Sequence, residues 1–355
     1  MKEKISVRQI CFILIAYNAA VKLMLFPAAA ASEVDNALVF TALFNLALQT
    51  VIIWAVAYLS SRTDKSFFEL LENTFGNVTA RVVFALFALY FAASAVVPLS
   101  EQQLLVHDSF YDTIPSLIVF LPFFIFSVYA GVKTFTNVGR CADIMFPVFL
   151  VCAAAFLIMS VGEADFTNLL PVLTRPFKKV AGFSLSSVFR FSESAFLLMF
   201  LGHFKYKKGD AAKLTVSYAV GGLIVIALMA AFYCLYGALT PTRSFLLSNI
   251  SVFFPVIGFV GRVDLFLVYA FDMVILFAIV LNVQMSVHCI ERVVGKNWRI
   301  TYSVGVNAVL LALTIIFNNK FSVVQKIAGG WLWIPALLFA YLIPVLAWTL
   351  RRKTR

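Results

Sequence analysis

The stretch ICFILIAYNAAVKLMLFPAAAA, Ile10 to Ala31, holds a single charge, Lys22, in the middle of an apolar run. At 1.5 Å per residue it is long enough to cross a bilayer, which needs roughly 20 apolar residues. An ammonium near the midplane costs on the order of 2.5–3.5 kcal/mol on insertion scales. A chain keeps such a charge where it faces protein or a wet cavity. Lys22 therefore marks a membrane protein whose first segment lines its interior. The terminal FPAAAA faintly resembles a signal-peptide cleavage region, but the apolar part is too long for one and many more spans follow, so we read an uncleaved first helix.

Composition agrees. The chain is 62% hydrophobic and 13% charged, with 38 Phe and a mean hydropathy of +0.96. Soluble domains carry about 25% charged residues. The net charge of +11 is scattered between apolar runs, which argues against nucleic acid and for topology marking. Five cysteines lie in or beside apolar runs without CxxC spacing and read as buried side chains.

Working outward from segment 1, ten apolar segments follow: 10–31, 36–60, 80–106, 114–130, 142–161, 184–204, 212–239, 261–290, 300–317 and 330–350. The gaps are short, so residues 1–355 read as one polytopic, all-α membrane domain. With the N-terminus inside, the inner loops hold 19 Lys and Arg and the outer loops 7; Lys22 and Arg190, inside spans, complete the 28. That bias places both termini in the cytoplasm.

Polar residues break four segments: Asn18 and Lys22 before Pro27; Phe189-Arg190-Phe191-Ser192-Glu193; Asp264 and Asp272, then Asn282 and Gln284; and Glu101-Gln102-Gln103. Each has a structural and a functional reading. Arg190 and Glu193, three apart, meet on one helical face as a neutralising pair or else serve a ligand. Lys22 pairs with Asp272 or Asp264 to make insertion tolerable, or sits beside a ligand. Pro27 kinks segment 1, Glu101 marks the outer membrane boundary, and Asp264 is interfacial. Segments 1 and 6 hold corresponding places in two sets of five, approximately 10–161 and 184–350. Five is odd, so the second set enters inverted. Paired interrupted segments point to a transporter built on inverted repeats. The half-helix N-termini at such breaks attract a carboxylate, a recipe for binding an amino acid. Catalysis has no support: His107, His203 and His288 lack metal-ligand spacing, and GxxxxGK[ST], GxSxG and HExxH are missing. No cofactor or metal is expected.

KISVRQ (Lys4–Gln9), Pro27, NLLPVL (Asn168–Leu173), Glu193 with the downstream FLLMFLGHFK, and Gly261-Arg262-Val263-Asp264 resemble the B subunit of spore germinant receptors, over nearly the full length. The resemblance implies the amino acid–polyamine–organocation transporter superfamily and a ten-helix, leucine-transporter-like fold with a midplane pocket between helices 1, 3, 6 and 8. It implies Asn18, Ala20, Lys22, Phe189, Arg190, Ser192 and Glu193 around a ligand, with Pro27, Asp264 and Asp272 in structural or coupling roles. Helices 1 and 8 are neighbours in that fold, which favours Asp272 as the partner of Lys22. The family pattern has small residues, often glycine, at the helix 1 break; here Ala19-Ala20-Val21 stands there, which favours wound backbone over what glycine would allow. The expected role is a germinant-sensing subunit in the inner spore membrane. It would work with an A-type membrane subunit and a C-type lipoprotein and bind a small metabolite, an amino acid first among candidates. An active amino-acid permease of the same fold, with Lys22 in place of a coupling cation, is the alternative.

Overall fold

The computed structural model describes residues 4–110, 116–171, 173–251, 263–317 and 320–350. Gly261 and Arg262 lie outside them, and Asp264 lies in the first turn of a helix with its side chain outside them. Among the described residues there are helices and no strands.

Ser6 opens α1 (Val7–Lys22) with a capping box: its hydroxyl accepts from Gln9 N–H at 3.3 Å while Gln9 Oε1 accepts from Ser6 N–H at 3.1 Å. Every residue from Ile13 to Lys22 is buried, as befits a helix apolar all round. The chain unwinds at Leu23–Leu25 and resumes as α2 (Phe26–Val34), with Pro27 in its first turn, where a missing N–H costs nothing. Pro27 thus starts a half-helix rather than kinking a continuous one. Ala19–Val21 stay wound, and the break falls just after Lys22.

Next come α3 (Leu38–Ser60), α4 (Phe67–Phe75), α5 (Asn77–Phe110), α6 (Ser116–Gly131) and α7 (Phe135–Val161). The sixth segment is broken as expected: α8 (Phe177–Ser186), a 3₁₀ turn at Ser187–Arg190, the non-helical residues Phe191 and Ser192, then α9 (Glu193–Phe200), whose residues are all buried. Then follow α10 (Asp210–Tyr236), α11 (Leu246–Ser251), α12 (Val263–Val294), α13 (Arg299–Ile316), α14 (Phe321–Gly330), α15 (Trp333–Ala336), a π-turn at Leu337–Leu342, and α16 (Ile343–Leu350). Helix α1 packs against α7, α9, α10 and α12, while α5 lies along α12. One apolar cluster runs through them from Ile5 to Ala347.

Six helical stretches among the described residues are long and apolar enough to cross a membrane: Phe26–Ser60, Asn77–Val106, Phe135–Val161, Asp210–Thr242, Phe266–Val294 and Arg299–Ile316; Phe120–Gly131 and Trp333–Thr349 are shorter apolar helices. Breaks divide segments 1 and 6 into halves, and the fourth and tenth segments adjoin residues outside the described ones.

The loops sort onto two ends. At one, Arg8 meets Asp143 at 3.1 Å, Ile5 N–H bonds His203 C=O at 3.1 Å, and Arg299 meets Glu291 at 3.1 Å. At the other, Arg175 meets Asp35 at 2.6 Å and Lys179 meets Glu33 at 3.3 Å. The NLLPVL motif belongs to this second end. Asn168 Nδ2 donates to Cys234 C=O at 3.0 Å, and Asn36 Nδ2 donates to Leu169 C=O at 3.1 Å and to Pro171 C=O. Before it, Thr167 donates to Asp165 Oδ1 from Oγ1 at 2.6 Å and from N–H at 2.9 Å, holding that carboxyl below the usual range. This cap is present at neutral pH and fades as pH falls through the lowered value.

Gly202 carries φ +77°, and a Cβ there would sit 2.6 Å from Ser66 N; Gly209, at φ +94°, has open space. Gly209→Ala should cost about 1–2 kcal/mol from the left-handed backbone alone. Gly202→Ala should cost clearly more, because the obstacle is backbone. Thermal unfolding of the two variants checks the order.

Candidate functional site

The two breaks face each other and cancel each other's charges. Lys22, 1% exposed, donates to Asn18 Oδ1 at 2.9 Å, one turn back on α1, and forms an ion pair with Glu193 Oε1 at the start of α9. The ring of Phe191 covers the ammonium at 4.4 Å, a cation–π contact that offsets lost hydration. Tyr218 of α10 donates to the other oxygen of Glu193 at 2.9 Å. Glu193 also sits in the first turn of α9, where the helix dipole favours an anion.

Arg190 makes the second clamp. It pairs with Glu101 of α5 through both carboxylate oxygens, Nη1 to Oε2 at 3.2 Å and Nη2 to Oε1, and Nη1 also donates to Val21 C=O at 2.8 Å. That carbonyl stands at the end of α1, where intrahelical donors run out. The freed carbonyl of Phe191 is likewise met by Tyr341 Oη at 2.7 Å. With its amide oxygen turned to suit its neighbours, Gln49 of α3 accepts from Glu193 N–H at 3.1 Å and Ser194 N–H at 2.8 Å. The N-terminus that a carboxylate ligand would seek is thus occupied by a side chain of the protein.

Two pairings read from the sequence are corrected, and Glu101 gains a partner. Arg190 and Glu193 do not neutralise each other: non-helical Phe191 and Ser192 separate them, so helical i,i+3 geometry does not apply. Lys22 does not pair with Asp272. Helix α1 meets α12 through Tyr17, whose hydroxyl lies 3.3 Å from Asn282 Nδ2. Asn282 is ten residues, or about 15 Å, along the helix from Asp272. Five residues beyond Tyr17, Lys22 points to another side of α1. Asp272 is buried with Gln102 as its hydrogen-bond partner. Glu101, expected to mark the outer membrane boundary, is fully buried as the counter-ion of Arg190.

Beside the clamps lies a cavity of about 240 Å³. Its wall includes Tyr17 and Val21 of α1, Tyr90 and Ser94 of α5, Phe189, Arg190, and Phe339. Of the residues expected around a ligand, Phe189 and Arg190 line it. Asn18, Ala20, Lys22, Ser192 and Glu193 are buried behind it, Ser192 as a hydrogen-bond partner of Tyr90. Gln49, Tyr218 and Tyr341 were not singled out in the sequence. Gln49 alone carried a signal, as a strong polar group inside an apolar segment.

Comparison with solved structures defines the class. The fold matches the substrate-bound, outward-open state of a Na⁺-coupled sialic acid symporter at TM-score 0.63, with 11% identity, 94% of this chain and 79% of that one. It matches MhsT in complex with L-phenylalanine at TM-score 0.65, with 14% identity, 97% of this chain and 98% of that one. These are leucine-transporter-type folds, and the chain is a multi-pass membrane protein of that architecture. A curated relative, spore germination protein KB of Bacillus subtilis (strain 168), is 24% identical over 332 residues, 89% of this chain and 86% of the relative. Residues 4–323 match the spore germination protein family, and the chain belongs to it.

Breaking a buried ion pair from one side typically costs about 3–5 kcal/mol. Lys22→Met and Glu193→Gln should each destabilise on that scale, and the double variant should recover most of the loss. Lys22→Met with Asp272→Asn should instead be additive. Thermal unfolding in lipid nanodiscs measures both cycles; coupling of Lys22 to Asp272 would contradict the assignment.

Proposed function

We propose that this protein is the germinant-sensing membrane subunit of a spore germination receptor, binding a small metabolite in the cavity between the broken helices and α5. The observation that carries the reading is the double duty of Arg190, which is at once a wall of the cavity and the clamp on Glu101 and Val21. A ligand touching that wall bears directly on the joint between the two half-helix pairs. Sensing needs different affinities for two arrangements of that joint, and the shift is limited by that difference. The reading assigns the protein no catalytic role.

Family membership supports germination as the setting, with an A-type membrane subunit and a C-type lipoprotein as partners in the inner spore membrane. In this reading the ten apolar segments are ten spans in one domain, arranged as repeats 10–161 and 184–350, with both termini cytoplasmic. Active amino-acid transport is the second reading, favoured by the fold shared with a symporter and by a lysine ammonium fixed at the break of segment 1. Uptake by proteoliposomes separates the two, since a sensor binds without net accumulation.

Ser94, on the cavity wall, provides the test. Ser94→Phe should fill the space and abolish the germination response while the receptor stays assembled at normal level in the spore membrane. A normal response from an assembled Ser94→Phe receptor would remove the cavity from the account. Sidedness is checked separately: with exposed Cys141 replaced by Ser, cysteines at exposed Ser32 and Asn297 should label from opposite faces. Labelling from the same face would overturn the orientation.

A further inference from the structure

The mouth of the cavity is apolar and exposed. Leu86, Leu89 and Ala93 follow one another at helical spacing along one strip of α5; they line the cavity and are exposed, Leu86 at 45% and Leu89 at 68%. Half-buried Leu332 and Pro335 stand across from them. The strip begins nine residues into α5, about 14 Å along its axis. It sits within Val82–Ser100, nineteen consecutive uncharged residues between Arg81 and Glu101. That depth is hydrocarbon when the helix spans the bilayer.

The wall is apolar and aromatic apart from Tyr90, Ser94, the hydroxyl of Tyr17 and Arg190. Arg190, 5% exposed, is already neutralised by Glu101. An anion entering here would meet a pair with no net positive charge and lose its hydration, which disfavours charged ligands. The volume suits a molecule of one ring or a short chain, below the range of drug-sized pockets.

Resting on the sensing reading above, we infer that the cavity is entered sideways from the bilayer, between α5 and the Leu332–Pro335 segment. Its ligand is a small, uncharged, mainly apolar molecule. A zwitterionic amino acid fits neither the route nor the neutral wall.

The test uses the receptor in lipid nanodiscs and a photoreactive trifluoromethyl-diazirine benzyl alcohol, with adducts mapped by mass spectrometry. Adducts are expected on Tyr90, Phe189 and Phe339, falling to background with excess benzyl alcohol. Benzoate and L-phenylalanine, sharing the ring but bearing an anion or a zwitterion, should leave the labelling unchanged. Ala93→Trp, and separately Leu89→Trp, should block those adducts by closing the mouth while leaving the receptor assembled. Labelling confined to the lipid-facing surface, or labelling that benzyl alcohol does not displace, overturns the inference. So does protection by L-phenylalanine without protection by benzyl alcohol, and that outcome leaves the sensing reading standing. Saturable labelling that Ala93→Trp blocks, in spores whose germination Ala93→Trp does not alter, supports the neutral-ligand site and overturns the sensing reading.

Discussion

Two buried ion pairs lie at the helix breaks, and each charge is cancelled where it stands. Lys22 on Glu193, and Arg190 on Glu101, do this across the two helix breaks. Each break supplies what the other lacks. The carbonyl at the end of α1 receives an N–H from Arg190, and the ammonium of α1 receives the carboxylate that opens α9. Apolar residues of similar volume would often hold a core as well as a buried ion pair or better. What the pairs add here is register: unwound backbone survives in a membrane only where its polar groups are met within the protein, and these partners fix where the unwinding falls.

That register gives the proposed sensor its mechanism. In a leucine-transporter-type fold the broken helices form a site open to ligand. Here charge and backbone are largely satisfied from within, by Gln49 on the N–H groups of α9 and Tyr341 on the Phe191 carbonyl. What remains open is the apolar space beside Arg190. A protein whose central site is held shut by its own side chains is suited to report on a ligand rather than to exchange it across the membrane.

Much of this was legible in the sequence. Class and broken segments follow from apolar length and from polar residues placed where lipid forbids them, and the motif residues lead to the family. The partners were not legible. Lys22 and Arg190 each needed an acid, and five were available in the apolar segments. Spacing suggested Glu193 for Arg190, but two non-helical residues lie between them and Glu193 meets Lys22 instead. Glu101 read as a boundary mark and gave no sign of its partner, yet it is buried on Arg190. Helix 8 was placed correctly beside helix 1, but the crossing falls at Asn282, too far along for Asp272. Periodicity reports which face of a helix is apolar and carries no information on where two helices cross.

The most direct test of the reciprocal clamp is a solid-state NMR measurement of the dipolar coupling between a ¹⁵N-labelled Lys22 ammonium and the ¹³C-labelled carboxyl of Glu193, in bilayers. The account predicts a strong coupling with the nitrogen in its charged form, abolished by Glu193→Gln and unchanged by Asp272→Asn. A coupling that is missing in the unaltered protein, or that vanishes with Asp272→Asn and survives Glu193→Gln, would contradict it.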